Sequence, residues 1–201
     1  MTHDTFSPEQ SLQLISRMIN RAKDRFSENG HLYLLWGWAV LICSIAQYIL
    51  MNIVKWEQHS MVWISMWLVF IYQMIYISRQ KKKEKVRTYT DEIISVVWIT
   101  FIVLMALFGF LFGRILGEEY YRFINPGFLA IYGMPTVLSG AILRFRPLII
   151  GGIACWALAL ISAFTPYEYH LLLLGVAVIV AWIIPGYLLR SKYKKQPDHG
   201  H

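Results

Sequence analysis

Charge is what this chain is short of. Only 15% of its 201 residues are Asp, Glu, Lys or Arg, against about 25% in a soluble domain, and the deficit is gathered into long stretches with none at all. With 57% hydrophobic residues and a mean hydropathy of +0.46, a soluble globular domain is excluded. Cysteine is almost absent as well. Cys43 and Cys155 lie in apolar runs with no neighbouring His or acid, which excludes a disulfide framework and the ligand spacing of zinc or redox motifs. No ionisable acid or base falls within any apolar run; such residues mark proton relays and ion sites, so a proton-driven pump is not expected.

What the chain does have is six uncharged runs, at 32–51, 61–78, 93–113, 127–143, 148–164 and 171–189. A helix rising ~1.5 Å per residue must cover roughly 30 Å of hydrocarbon, so every run is long enough, 127–143 and 148–164 only just. Continuous apolar runs are not the alternating strands of a barrel. The expected fold is an all-α integral membrane protein. Its six-helix transmembrane bundle occupies 31–190, after a cytoplasmic segment at 1–30 and before a basic tail at 191–201. The charged segment ahead of the first run, with no small-residue cleavage site behind it, makes that run a retained span rather than a signal peptide.

Orientation follows from where Lys and Arg collect. Arg17, Arg21, Lys23 and Arg25 precede the first run; Arg79, Lys81, Lys82, Lys83, Lys85 and Arg87 lie between the second and third; Arg144 and Arg146 between the fourth and fifth; Arg190, Lys192, Lys194 and Lys195 after the sixth. The alternate loops hold only Lys55, Arg114 and Arg122. Both termini are therefore expected in the cytoplasm, in a bacterial inner membrane. Trp56, Trp63 and Trp67, with Tyr120, Tyr121 and Phe123, suit an aromatic belt at the outer face. Dispersed among short loops, the basic residues read as topogenic rather than nucleic-acid binding, and the lipid bilayer is the first partner. The run Arg79, Lys81, Lys82, Lys83, Lys85 and Arg87 is expected to hold anionic headgroups, at roughly 1 kcal/mol per cation.

Ser7 and Pro8 begin a helical pattern that Asn29 and Gly30 end. Leu12, Ile15, Met18, Ile19 and Phe26 fall on one face of it, which predicts an amphipathic helix lying along the interface, as a lipid anchor or a docking face for a cytoplasmic protein. Gly109, Gly113 and Gly117 recur every fourth residue, as do Gly151, Cys155, Ala159 and Ala163. Both sets predict helix-packing ridges, within the chain or at a homodimer seam. Pro135 and Pro185 predict local breaks in their helices.

Candidates for chemistry are few. The adjacent Glu118 and Glu119 point apart on a helix and do not form a facing acid/base pair. The six histidines stand at termini or span boundaries, and none is expected to be buried beside a partner. Gln47 and Gln73 lie at different depths and are expected to bond other helices rather than each other. No catalytic, cofactor-binding or metal-binding residues are assigned.

The stretch Ser11 to Met51, above all Phe26 to Trp38 (Phe-Ser-Glu-Asn-Gly-His-Leu-Tyr-Leu-Leu-Trp-Gly-Trp), resembles small uncharacterised multipass inner-membrane proteins of Bacteroidota. Tyr132 to Trp156, with Tyr-Gly-Met-Pro, Arg-Phe-Arg-Pro and Gly-Gly, has the same look. The resemblance implies an inner-membrane location and carries over no catalytic residue. The functional expectation is a non-enzymatic sensor or accessory subunit acting through a cytoplasmic partner. The alternatives are a transporter or channel for a small neutral or lipophilic solute, and a lipid-acting enzyme, for which Arg144 and Arg146 are the one close basic pair in a short turn.

Overall fold

The structure, a computed structural model, describes residues 30–83 and 89–194, and every regular element among them is helical. Helix α1 spans Gly30–Val54. Its last turn, Leu50–Val54, is widened to a π-helix, and Lys55 in the left-handed region (φ 55°) closes it by donating its N–H to the Leu50 carbonyl. A 3-10 turn at His59–Ser65 leads into α2 (Met66–Lys83). Helix α3 (Tyr89–Leu116) stops at Gly117, whose φ of +55° is the left-handed conformation that lack of a Cβ favours at a helix end. Then come α4 (Tyr120–Ile142) and α5 (Arg146–Ser162), the latter with Pro147 in its first turn. The last rod is α6 (His170–Val178), a π-helical turn (Ile179–Ile183) and α7 (Ile184–Lys194).

The two prolines expected to break helices act differently. Pro135 is carried inside an unbroken α4. Pro185 offers no N–H to the carbonyl four residues back, and the ladder ahead of it widens so that the Ile184 N–H reaches the Ile179 carbonyl.

Four pairs of chain neighbours pack antiparallel (α1 with the rod from His59 to Lys83, α3 with α4, α4 with α5, and α5 with the last rod), and the last rod returns to the first. Bonds between α1 and the second rod run from Gln47 with His59 and Trp63 at one end to Trp36 with Gln73 toward the other. Phe108 of α3 lies against Gly127 and Phe128 of α4. A Cβ on Gly152 of α5 would meet the Gly133 carbonyl of α4 at 2.8 Å, and one on Gly151 would meet Ala181 Cα at 2.6 Å. Gly37 and Gly186 bring α1 and the last rod together, against Ile183 at 2.8 Å and Leu34 at 2.9 Å. Such approaches gain dispersion contacts between the helices. The core so formed centres on Val40, Leu129, Leu148, Leu174, Val178 and Leu189.

Four helical stretches are long and apolar enough to cross a membrane: Gly30–Val54, His59–Arg79, Glu92–Leu116 and Tyr167–Ser191. Helix α5 is apolar but shorter, and α4, at 23 residues, is diluted by Arg122, Asn125, Pro126, Pro135, Thr136 and Ser139. The six helices expected from the sequence are thus present, with four of full spanning character.

One expected ridge does not pack within the chain. A Cβ on Gly113 or Gly117 would meet nothing within 4 Å, and one on Gly109 only the Tyr120 hydroxyl at 3.6 Å. The physical reason is rotational: α3 turns Ile94, Trp98, Phe101 and Met105 toward the core. On α5, Gly151 and Cys155 are buried and Ala159 packs against the core, but Ala163 caps the helix and is exposed. The residues expected to form an interfacial helix, Leu12, Ile15, Met18, Ile19 and Phe26, those expected at headgroups, Lys85 and Arg87, the side chains of Lys81, Lys82 and Lys83, and the tail from Lys195 lie outside the described residues.

Candidate functional site

The interior holds an aromatic column. Trp98 of α3 stands edge-on to Tyr33 of α1 (5.8 Å), to Phe101 one turn on (5.5 Å) and to Trp182 in the π-turn (6.2 Å). Tyr132 of α4 stands against Trp182 (5.1 Å) and Phe101 (5.5 Å). Edge-to-face pairs at these separations add about 0.5–1.5 kcal/mol each beyond their burial. Trp182 Nε1 donates to Thr136 Oγ1 at 3.1 Å, and that hydroxyl donates on to the Tyr132 carbonyl at 2.8 Å. Trp182 lies within the widened turn ahead of Pro185, so the backbone irregularity and the buried hydrogen bond fall at the same place. Ser139 and Ser44 add two buried hydroxyls to the interior, that of Ser139 beside the Tyr33 phenol.

A second polar group ties α1 to the second rod. Trp63 Nε1 donates to Gln47 Oε1 at 2.6 Å, while Gln47 Nε2 lies 3.0 Å from His59 Nδ1, which accepts in that tautomer. Cys43 Sγ is 3.3 Å from Ser65 Oγ. Two turns inward, Trp36 Nε1 donates to Gln73 Oε1 at 2.7 Å. The two glutamines thus bond indoles on the facing helix and not each other.

The histidine expectation needs correcting. His170 is 4% exposed, with Nε2 at 2.9 Å from the Ser162 carbonyl and 3.0 Å from the Thr165 carbonyl. It donates to both, closing the turn between α5 and α6. Its acceptors are backbone atoms at the end of a helix, invisible in a search for side-chain partners. Trp156, similarly, lies over Gly133 and donates to the Ala130 carbonyl at 3.0 Å, where the missing Cβ makes room for the indole.

These groups are hydrogen-bonded packing elements rather than a reactive constellation. Among the described residues no three His, Cys, Asp or Glu side chains converge on one point. Glu119 is drawn 3.4 Å to Arg122 in an exposed i,i+3 pair, and the Glu118 side chain lies outside the described residues.

The two ends of the helices differ more than their middles. The antiparallel pairing puts exposed Arg79, Arg144, Arg146 and Arg190, with Glu92, at one end, and Lys55, Glu57, Arg114, Glu119, Arg122 and Glu168 at the other. No family model, curated protein or solved structure matches the chain.

Proposed function

We propose that the chain is a non-enzymatic, six-span membrane protein whose working surface is its arginine-rich cytoplasmic end. The observation that carries this reading is the inversion of ordinary globular partition. Large apolar side chains cover the outside: Trp67, Leu68, Ile71, Met74 and Ile75 on α2, and Ile102, Val103, Leu107, Phe110 and Ile115 on α3, are all about half exposed or more. Polar side chains are inside, with Ser44, Gln47, Thr136, Ser139 and Ser162 buried. Water penalises such a surface and hydrocarbon favours it. In that frame α4 is the shielded span, its proline, glycine and hydroxyl content acceptable because neighbouring helices cover it, while α5 adds exposed Ile150, Ile153, Leu160 and Ile161 to the apolar outside.

A bilayer-embedded bundle whose interior is filled by packed aromatic and aliphatic side chains acts through its ends. The basic end, together with the amphipathic pattern of Leu12, Ile15, Met18, Ile19 and Phe26, supports action through a cytoplasmic protein, as a sensor or accessory subunit. The solute-pathway alternative draws no comparable support, since Gln47 and Gln73 are both engaged by indoles. Crosslinking in cells, mild-detergent purification and identification of co-purifying proteins tests the reading. Ile15→Ser with Ile19→Ser is expected to abolish co-purification while the bundle's thermal unfolding is unchanged; retention of the same proteins by the double variant counts against it.

A further inference from the structure

The turn between α4 and α5 places two arginines where local helix energetics disfavour both. Helix α4 ends in a Schellman closure: the Phe145 N–H reaches the Gly140 carbonyl at 2.8 Å and the Arg144 N–H reaches the Ala141 carbonyl at 3.1 Å. That puts Arg144 at the left-handed position normally given to glycine, with φ 50°. Arg146 then opens α5, a cation at the positive end of a helix dipole. Between them Phe145 is a single extended residue (φ −116°, ψ 95°) that joins the left-handed Arg144 to the first helical residue, Arg146, so the two arginines stand two residues apart in one short turn. Burial agrees with this geometry. Leu143, Phe145 and Leu148 are at most 9% exposed and pin the turn into the core, while Arg144 and Arg146 are both exposed. Neither guanidinium makes an ion pair or hydrogen bond among the described residues.

From this arrangement we infer that Arg144 and Arg146 form a two-pronged clamp for the phosphate of an anionic membrane lipid. Guanidinium forks match phosphate oxygens in a bidentate way that a lysine ammonium does not. Setting orientation needs only charge; a clamp needs the planar forks and a fixed turn. The inference rests on the membrane reading above, which supplies the leaflet in which the phosphate stands.

The test uses the full-length protein reconstituted into vesicles of equimolar phosphatidylcholine and phosphatidylglycerol, with the lipid retained after detergent exchange counted by native mass spectrometry. Arg144→Gln with Arg146→Gln is expected to lower phosphatidylglycerol retention on the order of tenfold. Arg144→Lys with Arg146→Lys, which preserves charge, is expected to lose several-fold. Arg122→Gln, at the opposite end, serves as control and is expected to retain as much lipid as the parent protein. Equal thermal unfolding in phosphatidylcholine alone verifies that the variants fold, as two exposed side chains predict. Full retention by the glutamine or the lysine variant, or an equal loss for Arg122→Gln, overturns the clamp in favour of diffuse attraction. Inorganic phosphate added to phosphatidylcholine vesicles separates the sources: stabilisation of the parent protein but not of the glutamine variant would assign the site to soluble phosphate and overturn the lipid. Release of the protein from cell membranes by alkaline carbonate would overturn the membrane reading itself, and the clamp with it.

Discussion

At the scale of single residues, glycines decide which helices touch, and the sequence spacing of small residues does not say which ones do. Gly152 has the Gly133 carbonyl at 2.8 Å and the Val137 N–H at 2.9 Å from where its Cβ would lie, both rigid backbone. Gly113 has nothing within 4 Å. Gly152→Val is therefore expected to cost about 1–3 kcal/mol, as overpacking does, and Gly113→Leu to stay within about 0.5 kcal/mol, as exposed substitutions do. Thermal unfolding of both variants in the same detergent checks the contrast, and an equal loss for the two would place α3 in closer contact than its open ridge implies. The four-residue spacing of Gly109, Gly113 and Gly117 was legible, but it did not say that this face would be turned away from the other helices of the same chain. Spacing fixes which residues share a helix face; the rotation of that face is set by the bulkier stripe, here Ile94, Trp98, Phe101 and Met105. Likewise His170 was legible as a residue near a helix start but not as a buried donor, because its two acceptors are backbone carbonyls placed by the preceding turn.

At the scale of elements, the helices themselves were readable, since an uncharged run of spanning length is a local property. Their contacts were not. The second rod buries no residue fully, yet five of its side chains engage α1: His59, Trp63, Ser65 and Gln73 by polar contacts, and Tyr76 by its ring against His31. Its attachment therefore depends on polar and ring contacts made at fixed register. That register can be trapped covalently. Cys43 Sγ and Ser65 Oγ are 3.3 Å apart, a separation from which small rotations bring two sulfurs into bonding distance. In a Cys155→Ser background, Ser65→Cys is expected to form a disulfide with Cys43 under mild oxidation. Trypsin cleavage at the exposed Lys55 would then leave two fragments that separate on a gel only after reduction. Fragments that separate without reductant would mean that α1 and α2 are not held in this register.

At the scale of the whole molecule, pairing and charge lead to the same arrangement by independent routes. The antiparallel contacts gather Arg79, Arg144, Arg146 and Arg190 at one end without reference to any membrane. Retention of Lys and Arg on the cytoplasmic side assigns the same four residues to the same side from sequence alone. An odd number of spans would divide them, because removing one rod reverses every loop after it. Reporter fusions are therefore expected to read outside after Gln58, Tyr121 and Tyr167, and inside after Lys83, Phe145 and Lys195. The informative fusions are those flanking α4 and α5, the two helices with least spanning character of their own. If these helices failed to insert as a hairpin, Phe145 would report the same side as Tyr121 and Tyr167 while every other position stayed as expected. That outcome would retain a four-span chain and place the Arg144 and Arg146 turn on the outer side, away from the other basic loops.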